Sequence, residues 1–97
     1  MLTSKQRSNL KALANTAEPI AQVGKLGVTE NLVESVDKAL TARELVKISV
    51  LKTTDDEPIY YADVLAEKTG AEVVAVIGRK ITMYRRSNKP HIEHIEF

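Results

Sequence analysis

Hydrophobic and polar positions alternate with two periods along this chain, and together they lay out its elements. Thr3-Ser4-Lys5-Gln6 has the form of a capping box, in which a Thr hydroxyl and a Gln amide each satisfy a free backbone N–H. Leu10, Leu13, Ala14 and Ala17 then share one face at helical spacing, with Lys5, Ser8 and Lys11 off it, until Pro19 stops the helix. Residues 20–23 form a short extended run closed by Gly24-Lys25-Leu26-Gly27. Thr29 is an N-cap with Glu30 in the first turn, and Leu32, Val33, Val36, Ala39 and Leu40 make the apolar stripe of a second helix. Val46, Ile48 and Val50 alternate with Lys47 and Ser49, the pattern of a strand. Pro58 suits the first position of a third helix, whose expected buried face is Ile59, Ala62, Leu65 and Ala66, and Gly70 ends it. Residues 72–77 are apolar on both parities, so a central strand is expected there. Gly78-Arg79 fits a two-residue hairpin turn leading into Ile81 and Met83 of a returning strand.

The order is α-β-α-β-α-β-β. Each strand–helix–strand step allows a right-handed parallel crossover and the last two strands form an antiparallel hairpin, so the fold class is α/β: a mixed four-stranded sheet packed with three helices. Ninety-seven residues hold one domain. No apolar run approaches the roughly 18 residues of a membrane helix, and the first residues lack the apolar stretch of a secretory signal, so a cytoplasmic protein is expected. With no Cys there is no disulfide framework, thiol nucleophile or thiolate metal site. Only four aromatics, Tyr60, Tyr61, Tyr84 and Phe97, are present, which predicts an aliphatic core and little surface for base stacking.

A net charge of +1 conceals an uneven distribution. Residues 1–29 carry Lys5, Arg7, Lys11 and Lys25 against Glu18; residues 30–78 hold five basic and ten acidic groups; residues 79–89 bring Arg79, Lys80, Arg85, Arg86 and Lys89 with no acid. Two basic blocks around an acidic middle attract an anionic partner, although each block alone reads equally well as solvated surface. Between them, Gly24-Lys25-Leu26-Gly27 offers two glycines that permit close backbone approach, a mobile cation, and a helix start just beyond. Such a Gly-x-x-Gly loop clamps nucleic-acid backbone, and a tight strand-to-helix turn would look the same. It lacks the Gly-Lys-Ser/Thr ending of a nucleotide-binding loop. Arg79 and Lys80 in the hairpin turn are a second set of phosphate ligands, weighed against cations that guard a terminal edge strand. His91 and His94 follow Pro90 in a segment without strong period, better read as a loosely packed tail than as a metal site. Asp55-Asp56-Glu57 is the sole acidic cluster, placed to complement a helix dipole, and no nucleophile motif accompanies it, so the chain is not expected to be an enzyme and needs no cofactor.

Four stretches in register resemble one family: Leu2-Thr3 with Lys5-Gln6-Arg7; Val23-Gly24-Lys25-Leu26-Gly27; Glu44-Leu45-Val46-Lys47-Ile48; and Val76-Ile77-Gly78-Arg79-Lys80-Ile81 with Tyr84-Arg85. The chain resembles the CRM domain (chloroplast RNA splicing and ribosome maturation) in its stand-alone, bacterial YhbY-like form. The resemblance places an RNA-binding domain at residues 1–86 and a short tail at 87–97. It implies a fold similar to the C-terminal domain of translation initiation factor three and association with large-subunit ribosomal RNA in pre-ribosomal particles. Carried over residue by residue, Gly24, Lys25, Leu26 and Gly27 match the backbone-contacting loop and Arg79 and Lys80 the basic turn, with Lys5 and Arg7 in the matching N-terminal block. The expected partner is RNA, bound by a monomer through backbone and shape; a protein-interaction domain docking an acidic partner is the alternative.

Overall fold

The computed structural model describes residues 2–89 and 94–97. Helix α1 spans Ser4–Ala14, strand β1 Ala21–Val23, α2 Glu30–Arg43, β2 Leu45–Val50, α3 Pro58–Thr69, β3 Glu72–Ile77 and β4 Lys80–Tyr84. The capping box forms as its residues dictate: the Thr3 hydroxyl accepts from the Gln6 N–H (3.1 Å) and the Gln6 amide oxygen from the Thr3 N–H (3.0 Å). Thr29 caps α2 by accepting from the Leu32 N–H (3.1 Å), and Gly70 ends α3 at φ 71°.

The sheet order is β1-β2-β4-β3, with β1 parallel to β2 and β4 antiparallel to both its neighbours. On one face, α2 and α3 cover a core of Val23, Val36, Leu40, Val46, Ile48, Leu65, Ile81 and Met83 among others. On the other, Leu10 of α1 packs with Val74 and Tyr84. At about 25 cal/mol per Å² of apolar surface removed from water, each such fully buried Leu or Ile contributes roughly 1.5–3 kcal/mol.

Three expectations are corrected. The strand β3 is an edge, and β4 is central. Its apolar residues on both parities arise because a bulge between Val73 and Ala75 turns Val74 and Ala75 toward α1, while Val73 and Val76 pack on the α2–α3 side. Helix α1 ends at Ala14; Leu13 is half-exposed and Ala17 lies beyond the helix, where its N–H bonds the Ala14 carbonyl. In α3 the buried stripe is Pro58, Tyr61, Ala62, Leu65 and Thr69, so Ile59 faces solvent and Tyr61 lies inside. A Tyr fits there because its hydroxyl has a partner, the Asp56 N–H (3.1 Å).

The chain end is also not loose where it is described. Phe97 stacks edge-on against Tyr84 (4.9 Å between centroids), and Ile95 joins the α1-side core. Glu44, wholly buried at the end of α2 with φ 67°, anchors this segment. Its carboxylate accepts from the Ser87 N–H (2.6 Å) and the Ile95 N–H (2.9 Å) and pairs with His94 Nδ1 (2.5 Å). A non-glycine residue at positive φ is strained by about 1–3 kcal/mol. Three charge-assisted hydrogen bonds, at roughly 1.5–3 kcal/mol each, offset that strain.

Burial pushes the Glu44 carboxyl up, but the Ser87 N–H, His94 and the Ile95 N–H together outweigh it and hold the group below the ordinary carboxylate value. Glu72, which accepts from the Leu2 N–H (3.0 Å), is lowered as well. A carboxyl whose pKa is depressed by folding stabilises the fold above its unfolded value, here 4.5, and loses that contribution as pH falls through the folded value. Denaturant unfolding should therefore show stability falling below about pH 4.5. Glu44→Gln should lose about 2–4 kcal/mol at pH 7 and show a shallower acid decline than the parent. Equal acid slopes for the two proteins would contradict this assignment.

Candidate nucleic-acid interface

Parallel pairing of β1 with β2 sends both carboxyl ends to one edge of the sheet, and the antiparallel β3–β4 hairpin brings its turn there too. Three segments therefore meet: the 24–27 loop after β1, residues 51–54 after β2, and the turn at Gly78 and Arg79. Carboxyl ends of parallel strands are where α/β sheets place ligands.

Buried Val23 anchors the start of the first loop, and its carbonyl accepts from the Leu51 N–H (2.9 Å). The Gly27 N–H returns to the Gly24 carbonyl (2.9 Å), closing a tight turn with Gly27 at φ 71°. Lys25 and Leu26 stand at its tip, Leu26 86% exposed. Helix α2 starts at Glu30, so the positive end of its dipole lies close behind the turn. Among the described residues, no side chain hydrogen-bonds or ion-pairs with Lys25.

The hairpin turn is bolted to this edge. Gly78 takes φ 57°, and the Arg79 carbonyl accepts from the Val50 N–H (2.8 Å). The Arg79 guanidinium donates to the carbonyls of Val50 (2.9 Å) and Leu51 and to the Thr54 hydroxyl (3.0 Å). It thus neutralises the carbonyl-rich end of β2 and holds the 51–54 segment in place. Lys80, exposed, donates to the Ser49 hydroxyl (2.8 Å). Since β4 lies inside the sheet, edge protection does not account for these cations.

Lys5 and Arg7 are not brought to this cluster. Arg7 donates to the Val73 carbonyl (3.0 Å) and faces Glu72 at 4.0 Å. Val73 is five residues, about 17 Å of strand, from the hairpin turn at Gly78. Lys5 is exposed on the first turn of α1. Arg85 is committed elsewhere: it donates to Asp37 (2.6 Å), the Thr69 carbonyl (2.6 Å) and the Thr41 hydroxyl (2.9 Å), tying α2 to the end of α3. Arg86 stays exposed. His91 lies outside the described residues; among those described, no three His, Cys, Asp or Glu side chains are placed to hold a metal.

Two features escaped the sequence reading. By strand alternation Lys47 shares the α1-side face of the sheet with Ser49, Gln22 and Lys80, while the exposed acids Glu30, Glu34, Asp63 and Glu67 lie on α2 and α3 across the molecule. The α1-side face of the sheet thus carries cations, while on α2 and α3 these acids are interspersed with the exposed Lys38, Arg43 and Lys68. Beside the 24–27 loop, a cleft of about 270 Å³ is lined by Lys25, Leu26, Asp55, Asp56, Tyr60 and Tyr61. Tyr60 is 54% exposed there, an aromatic side chain at a surface where few were expected. The helical phase of α3, misplaced by one residue in the periodicity, would have revealed it.

The CRS1 / YhbY (CRM) domain family matches this sequence over residues 2–85. The chain belongs to that family. This CRM domain is 38% identical over 89 residues to the Bacillus subtilis protein named "Probable RNA-binding protein YqeI", covering 92% of this chain and 93% of that one. It is 29% identical over 92 residues to a Haemophilus influenzae protein named "RNA-binding protein", covering 95% and 93%. The solution structure of the hypothetical protein SAV1595 from Staphylococcus aureus superposes with a TM-score of 0.79 at 42% identity, covering 93% of this CRM domain and 94% of that chain. The mixed sheet with three helices is thus shared with a solved relative.

The contrast between Arg79 and Lys80 is measurable without a ligand. Arg79→Ala should destabilise the fold by about 1–3 kcal/mol in urea unfolding, because it leaves the β2 carbonyls without their partner. Lys80→Ala should stay within about 0.5 kcal/mol of the parent. Equal effects would mean that the guanidinium does not tie the turn.

Proposed function

We propose that this chain is a non-catalytic RNA-binding protein that holds phosphate backbone at the shared edge of β1, β2 and the hairpin and assists assembly of the large ribosomal subunit. The observation that carries the reading is the 24–27 loop itself. A glycine turn with an unpaired cation at its tip and a helix start behind it lies at the same edge as Lys80. Backbone N–H groups, the helix dipole and two cations there suit phosphate. The names of the relatives support RNA as the ligand; large-subunit precursors follow from the CRM resemblance. Lys25 and Lys80 are assigned to phosphates, Gly24, Leu26 and Gly27 to backbone approach, and Arg79 to positioning the turn. Lys5, Lys11 and Lys47 extend the positive surface along the α1 side, and Arg7 ties α1 to β3 there. On this reading residues 1–86 bind as a monomeric cytoplasmic domain, and Ser87, His94, Ile95 and Phe97 brace it from the far end. No helix among the described residues is long and apolar enough to cross a membrane.

Sedimentation of a lysate should place the protein with large-subunit precursors, and ribonuclease should release it. Co-migration that survives ribonuclease would favour the docking of an acidic protein instead. In purified form, the two phosphate contacts of Lys25 and Lys80 predict a slope of log K against log salt near −1.4 for single-stranded RNA, at about −0.7 per contact. Lys25→Ala should reduce that slope by about 0.7 and weaken unrelated sequences equally. Gly27→Asp should abolish most affinity. Its Cβ would meet Tyr61 at 3.6 Å, an ordinary contact, so the folding cost reduces to backbone strain of about 1–3 kcal/mol. A folded Gly27→Asp variant that binds like the parent would refute the role of the loop.

A further inference from the structure

The cleft beside the loop holds chemistry that phosphate binding does not use. Gly27, Val28, Val64 and the half-exposed Tyr60 line it, with the Tyr60 ring set edge-on to Tyr61 at 5.5 Å and 71°. Tyr61 is fixed by the Asp56 N–H, so Tyr60 stands on a rigid support. Asp55 and Asp56 also line the cleft, and their carboxylates make no hydrogen bond or ion pair among the described residues. Carboxylates next to Lys25 and a phosphate-binding turn repel phosphate, so their place calls for a ligand group that donates. An exposed aromatic face invites stacking, and unpaired RNA bases are held by stacking together with hydrogen bonds to their Watson–Crick edge.

We propose that this cleft takes one unpaired guanine base, stacked on Tyr60 and read by the Asp55 or Asp56 carboxylate. Guanine presents two adjacent donors on its Watson–Crick edge, N1–H and the N2 amino group, which match the two oxygens of one carboxylate. Adenine, cytosine and uracil each set an acceptor beside their donor and would face a carboxylate with one lone pair against another. The inference rests on the reading that the 24–27 loop holds RNA backbone. It adds a sequence preference where backbone contacts alone provide none.

The test uses the full chain and eight-nucleotide oligouridine RNAs carrying one central guanosine, inosine or adenosine. Inosine keeps N1–H and lacks the N2 amino group. The parent should bind the guanosine oligomer about tenfold more tightly than the adenosine one, with inosine between. Asp55→Asn with Asp56→Asn should bring all three within about twofold of each other, and Tyr60→Ala should weaken all three by roughly tenfold. If the Asn variant merely tightens every oligomer equally, the carboxylates act only by repulsion and the proposal is overturned. Equal binding of guanosine and adenosine oligomers by the parent, with Lys25→Ala still weakening both, overturns the base site and leaves the backbone reading standing. Absence of any binding by the parent overturns both.

Discussion

The carboxyl end of β2 is the point on which the site depends. There the Leu51 N–H reaches the Val23 carbonyl, the Val50 N–H reaches the Arg79 carbonyl, and the Arg79 guanidinium returns to the Val50 and Leu51 carbonyls. These bonds join a parallel neighbour, a loop and a hairpin turn that are far apart in sequence. Buried or half-buried carbonyls at a strand end must find donors, and one planar guanidinium with several N–H groups supplies them at fixed angles. A Lys in its place would offer a point charge without that geometry. Holding three loops in fixed relation spares an incoming ligand the cost of ordering them.

The opposite end of the sheet is closed by a different polar arrangement. Glu44 gathers the Ser87 and Ile95 N–H groups and His94, while Arg85 joins Asp37, Thr41 and the Thr69 carbonyl. Both are charged groups whose partners satisfy them, so breaking either removes more than a surface ion pair would. Stability is thus concentrated away from the loops, and the 24–27 turn can carry a glycine at positive φ and an exposed Leu without supporting the core. Lys47 and Lys80 on the α1-side face of the sheet favour the approach of an anionic ligand from that side.

Much of this was legible in the chain. Thr3, Thr29, Pro58 and Gly70 act locally, through caps and fixed backbone angles, and local chemistry can be read residue by residue. The alternation in β2 and the hairpin at Gly78 follow the same logic. What failed depended on tertiary partners. Edge position for β3 rests on which strand enters between it and β2, and the bulge at Val73–Ala75 supplied an apolar pattern that imitates a central strand. Tyr61 displaced Ile59 from the core because a hydroxyl partner waited at Asp56, five residues back. Burial of Glu44 could not be foreseen, since its donors lie more than forty residues away. At the site, the motif located the turn but not the duty of Arg79, whose side chain turns inward, nor the cleft at Tyr60.

The central claim, that the shared edge of β1, β2 and the hairpin turn is the ligand surface, is tested most directly by amide chemical-shift mapping during titration with a short single-stranded RNA. The account predicts the largest changes at Gly24, Lys25, Leu26, Gly27, Leu51, Gly78 and Lys80, with the outer faces of α2 and α3 at Glu34, Asp63 and Glu67 unmoved. Changes centred on those helix faces, or on the Glu44 network, with the 24–27 loop silent, would contradict it.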